Sequence, residues 1–144
     1  TQRKQNMGAF FASIHATMNH ILLADRIWLA RFRNAMPELK SLQHADLIQE
    51  FSSLRQELYS DFSELTVQRE ITDNVIVNWV EELTDTRLAG QMYYKNSQGQ
   101  PREHPVWVAA AHMFNHQTHH RGQVTTLLYQ LDKDPGVTDL VAYI

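Results

Sequence analysis

A chain of 144 residues with 43% apolar and 20% charged side chains is long enough for one domain with a real hydrophobic core, and that balance excludes a disordered polymer. The net charge of −3 offers no basic surface for neutralising phosphates, so neither DNA nor RNA is an expected partner. Cysteine is absent, which removes disulfides, thiolate zinc sites and cysteine nucleophiles together, and no apolar run nears the roughly 20 residues needed to span a bilayer.

The spacing of apolar residues predicts three long helices and one shorter helix. The first runs from about Ala9 to Asn34, with Phe11, Ile14, Met18, Ile21, Leu22, Trp28, Leu29 and Phe32 at helical intervals. Met36-Pro37 ends it, because a residue before proline resists the α conformation. The second runs from about Ala45 or Asp46 to Arg69 on a stripe of Leu47, Phe51, Leu54, Leu58, Phe62 and Leu65. A shorter helix, roughly Asp73 to Leu83, starts at a Thr72-Asp73 capping signal. From Thr86 to Pro105 the pattern changes, and Met92-Tyr93-Tyr94 followed by Asn96-Ser97-Gln98-Gly99 reads as a β-like hairpin or an ordered loop. The last long helix spans about Pro105 to Leu131 and stops at Asp134-Pro135-Gly136, with one closing turn through Leu140 and Val141.

Long amphipathic helices without convincing parallel strands point to an all-α bundle, with residues 1–144 as one domain. Three long helices leave an apolar groove where a fourth would sit. The chain opens on Thr1 rather than methionine, so the expectation is that an upstream helix is missing or that a second subunit covers the gap. The first helix, apolar around much of its circumference, suits burial on two sides.

Four of the eight histidines fall between His112 and Gln123. On a helix His112, His116 and His120 recur one turn apart on one face, where neutral imidazoles can turn ring nitrogens to a common divalent ion. Two histidines of one helix rarely complete a site, so a third must come from elsewhere, and His20 is the best candidate. It shares its face with Ala16, Thr17 and Ala24, small neighbours that admit another helix and an ion. His15 points away from that face, and His15, His44 and His104 read as structural. Asp25, His112, His119, Arg121 and Gln123 are candidate supporters. A ligating imidazole donates its other N–H to an acceptor, a part Gln123 can play, whereas Asp25 reads as a core partner for Arg26, Arg31 or Arg121. His119 lies on the flank. The methionine and aromatic stripes read as core.

The segments Gly8–Leu29 and His112–Gln123, together with the closing Asp134–Tyr143, resemble the signature regions of the DinB/YfiT-like bundle proteins. That resemblance covers essentially the whole chain. It implies an up-down-down-up four-helix bundle, often dimeric, in which His20, His116 and His120 hold one divalent metal. It also implies another long helix before Gly8.

Three neutral ligands would leave the ion's charge uncompensated, a strong Lewis acid for hydrolysis or for activating an external thiol. Zinc or nickel is the expected ion, with iron, manganese or copper as alternatives. No His-Glu-x-x-His, Glu-x-x-His, phosphate loop or Gly-x-Ser-x-Gly elbow occurs, so no catalytic base is assigned; His119, Asp25 or an upstream residue would have to act. The leading expectation is a cytoplasmic, homodimeric, metal-dependent enzyme of the thiol-dependent transferase or hydrolase type, with a low-molecular-weight thiol as possible cosubstrate. The alternatives are a non-catalytic metal-binding protein of the stress response and a metal-free, pH-responsive histidine surface.

Overall fold

Ser13 sets the start of the first long helix. Its side chain accepts a hydrogen bond from the Ala16 N–H, and helix α1 then runs from Ile14 to Ala35. The structure is a computed structural model that describes residues 1–43 and 46–143; His44, and Ala45 as a possible helix start, lie outside the described residues. Helix α1 begins five residues later than the apolar spacing predicts. Ala12 takes a left-handed φ of 64°, and the Ala12 carbonyl is bonded to the Met7 N–H, so residues before Ser13 fold into a loop that tucks Phe11 inward.

The expected second helix is displaced. Residues 46–61 are irregular, and α2 is one unbroken helix, Phe62–Glu82, capped by Asp61 accepting from the Glu64 N–H. The expected boundary at Thr72-Asp73 does not exist. The Thr72 hydroxyl donates to the Gln68 carbonyl one turn back and accepts from Arg26 Nε, so it ties α2 to α1 instead of capping a new helix. The apolar stripe of 46–61 loses to hydrogen bonding. Asn19 Oδ1 accepts from the N–H groups of Leu58 and Tyr59, and the Tyr59 carbonyl accepts from Asn19 Nδ2 and His15 Nε2. Polar side chains of α1 thus satisfy backbone groups that a helix would have satisfied itself.

A short helix α3, Asp85–Ala89, leads into strands β1, Gln91–Lys95, and β2, Pro101–Pro105, an antiparallel pair in register from Gln91↔Pro105 to Lys95↔Pro101. Their turn is the expected one. Asn96 Oδ1 accepts from the N–H groups of Gln98 and Gln100, and Gly99 supplies the positive φ of 75°. Helix α4, Val106–Tyr129, starts on the hairpin, with the Val106 N–H donating to the Gly90 carbonyl. It ends at Tyr129, and just beyond it a φ of 55° at Asp132 lets the Lys133 N–H return to the Leu128 carbonyl. The expected closing turn is a 3₁₀ turn at Leu140–Tyr143.

Among the described residues the fold is therefore mostly helical, with four α-helices and a two-stranded sheet, rather than all-α. Both α2 and α4 pack on α1, which is buried around its circumference as expected. One end of α1 carries the core, where Trp28, Leu29 and Phe32 meet Ile76 and Trp79 of α2, Met92 of β1, and Ala109 and Met113 of α4. Phe32 stacks on Trp79 with ring centroids 4.4 Å apart. The other end buries polar groups: His15, Asn19, His20, Asp25 and Arg26. A groove of about 690 Å³, with Met18, Arg69, Asp73, Gln117, Arg121 and Leu140 on its walls, opens beside them; its lining mixes charge with apolar surface. Among the described residues no helix is long and apolar enough to cross a membrane.

Candidate metal centre

His20 sits in the buried middle of α1, while His116 and His120 stand one turn apart on the face of α4 that packs against it. Their ring nitrogens converge. His116 Nε2 lies 3.2 Å from His20 Nε2 and 3.0 Å from His120 Nε2, and one donor atom from each ring falls within 4.8 Å of the others. Nitrogens bound tetrahedrally to zinc at about 2.05 Å stand roughly 3.3 Å apart, so the spacing of the rings already approaches that of a ligand set.

The far sides of the rings fix which nitrogen is free. His20 Nδ1 donates to the Leu54 carbonyl at 2.8 Å, and His120 Nδ1 donates to Gln123 Oε1 at 2.8 Å. Both acceptors require the proton on Nδ1, which leaves an unprotonated Nε2 aimed at the common point. His116 can donate its Nε2–H to only one of these lone pairs, so hydrogen bonding alone cannot satisfy all three nitrogens. A shared cation does. Gln123 is itself oriented, since its amide N–H group donates to His119 Nε2 at 3.1 Å.

The surroundings keep the rings neutral. Burial, and then the fields of His120 and His20, push His116 down to about 3. Burial lowers His20 and His120 as well, opposed in part by the Leu54 carbonyl and by Gln123. Phe11 covers the cluster, stacked on His20 with centroids 4.0 Å apart and edge-on to His120 at 5.5 Å. Two cavities meet at the triad. One, of about 420 Å³, runs toward Trp28, Arg31 and Tyr94; the other, wider, opens past Phe10, Glu50 and His119. Asn96 and Ser97 of the hairpin turn line both.

The arrangement is three neutral imidazoles on rigid helices with ligand-sized space beside them. The sequence model of the DinB family matches residues 1–144, the whole length. The chain belongs to the DinB family. No curated protein and no solved structure matches it. In this DinB-family chain the supporting residues divide. Gln123 orients His120, and His119 lies on the exposed flank and touches Gln123. His112 stands one turn below the triad, its ring 5.2 Å from Trp28 and 6.0 Å from His116; burial, Arg31 and His104 lower its pKa. Arg121 is exposed, bonded to Thr118, and lines the groove away from the triad.

Asp25 corrects the expectation most clearly. Its carboxylate is fully buried and accepts from Arg69 Nη1 and Gln117 Nε2, both at 2.5 Å, so its partner is Arg69 of α2 rather than Arg26, Arg31 or Arg121. Arg26 is instead bonded to Thr72, Tyr59 and Gln68. Burial raises Asp25 to about 6 against the opposing pull of Arg69. The sequence reading missed the Leu54 carbonyl and the role of Phe11, because both lie in stretches whose apolar spacing imitates a helix.

Proposed function

We propose that His20, His116 and His120 hold one divalent ion through Nε2, and that the protein is a metal-dependent enzyme of the thiol-dependent transferase or hydrolase type. The observation that carries this reading is the convergence of three Nε2 atoms while Leu54 and Gln123 hold the Nδ1 protons of two of the rings. Zinc or nickel suits the all-nitrogen donor set best. An ion with three neutral ligands supplies Lewis acidity, lowering the pKa of a coordinated water or thiol. The residues around it position and exclude. Phe11 shields one side of His20 from water, and the two cavities give a ligand its approach. Asp25 is not placed to act as the base, because its carboxylate is fully buried, Arg69 and Gln117 hold Oδ2, and it lines neither cavity at the triad. The chain contains no cysteine, so any thiol enters as a cosubstrate.

The family membership supports reading the three long helices as members of a four-helix bundle and the protein as a homodimer, which light scattering on the eluted protein would test. Function is tested by loading the protein with zinc, nickel, manganese or iron and screening thiols against electrophiles, alongside ester and amide substrates. Metal-dependent turnover lost in His116→Ala supports the proposal. Tight metal binding without turnover on any substrate favours the non-catalytic alternative.

A further inference from the structure

The smaller cavity has a charge at its far end that no carboxylate among the described residues balances. Arg31 is half-buried, with its Cζ 4.6 Å from the ring centroids of both Trp28 and Tyr94. It spends one N–H on the Lys95 carbonyl at 3.2 Å. Among the described residues no carboxylate pairs with it, and none lines the cavity of about 420 Å³ or the adjoining one of about 270 Å³ that Arg31 also borders. The other charged or titratable groups on these walls are Lys95, Tyr93, Tyr94 and the histidines. A desolvated guanidinium with spare N–H donors is costly unless an anion meets it.

Resting on the metal-centre reading, we propose that Arg31 binds an oxyanion, a carboxylate or phosphate group at the far end of a substrate whose other end lies at the histidine triad. Arg31 follows His20 by eleven residues, about 16 Å along the helix, and its guanidinium lies back over Trp28, about one turn nearer the triad, so the span to bridge is roughly 10 Å. The cavity lies in the size range that holds one small metabolite. Trp28 and Tyr94 fix the guanidinium by cation–π contact, and the hairpin holds Tyr94 in place through its hydrogen bond with His104 Nε2 at 3.1 Å. The site therefore selects small acids that carry a metal-binding group at one end.

Calorimetry on the zinc-loaded protein tests this with alkyl hydroxamates whose far end is a carboxylate, a phosphonate or a neutral amide, in several chain lengths. At one length an acid form is expected to bind at least tenfold more tightly than the amide; whether carboxylate or phosphonate leads identifies the group. That preference should vanish in Arg31→Met, with the amide's affinity unchanged, and persist in part in Arg31→Lys. Equal affinity of acid and amide in the unaltered protein, or a preference that survives Arg31→Met, would overturn the assignment and leave the metal centre standing. Zinc-loaded protein that binds no hydroxamate at all would overturn both.

Discussion

Removing the ring of His116 takes away the one nitrogen that stands within 3.2 Å of both other imidazoles. His116→Ala is expected to reduce bound metal from about one ion per chain to background by elemental analysis, while His119→Ala, on the flank, retains it. Gln123→Leu keeps all three ligands and deletes the acceptor for His120 Nδ1, so it should weaken metal affinity about 10- to 100-fold in a chelator competition, with Gln123→Glu close to the unaltered protein. Protonation gives a second handle on the same residues. In the metal-free protein His20, His116 and His120 titrate below 6.5, so on acidification the unfolded chain takes up protons first and stability falls below pH 6.5, through His116 down to about 3. Asp25 has the opposite sign. Raised from 3.8 to about 6, it takes up its proton first in the folded chain, so its contribution grows as pH falls across that interval. Urea midpoints of the metal-free protein should drop between pH 7 and pH 5, and Asp25→Asn should steepen the drop. Asp25→Ala leaves Arg69 in part uncompensated beside Asp73 and should cost about 3 kcal/mol.

At the level of elements, α1 is a peg to which the irregular segment 46–61 is tied. Asn19 is buried and makes four hydrogen bonds, to the His15 and Tyr59 carbonyls and from the Leu58 and Tyr59 N–H groups. Asn19→Leu should destabilise the protein by about 2–3 kcal/mol, since it strands buried backbone groups. Hydrogen exchange should show it first at the amides of Leu58 and Tyr59, and His20 should lose its fixed tautomer as the Leu54 carbonyl moves. This tie also explains what the sequence concealed. Helix α1 from Ile14 onward and helix α4 were legible because nothing there competes with their period, and Asn96 with Gly99 announced the hairpin turn. The stripe Leu47, Phe51, Leu54, Leu58 has helical spacing too, yet its conformation is decided by His15, Asn19 and His20, some 34 to 44 residues earlier in the chain. Local periodicity carries no information about such a partner. For the same reason Thr72 read as a cap, although its hydroxyl answers Arg26 on another helix.

Across the whole molecule, the apolar end of α1 makes the core and its polar end makes the site, so α1 and α4 are rigid when the three imidazoles meet. An ion that binds only the folded chain stabilises it by about 4 kcal/mol at a thousandfold excess over Kd, enough to raise Tm by about 10 °C in a domain of this size. The His116→Ala protein should show no such rise. The groove walled by Arg69, Asp73 and Arg121 lies apart from both cavities at the triad, so an occupant there would act on stability and assembly rather than on metal affinity. The most direct test of the account is anomalous diffraction at the absorption edge of the metal found in the purified protein. The account expects one peak about 2.0–2.2 Å from the Nε2 atoms of His20, His116 and His120, with at least one coordination position open to a cavity. No peak from metal-saturated crystals, or an ion bound elsewhere or through Nδ1, would contradict it.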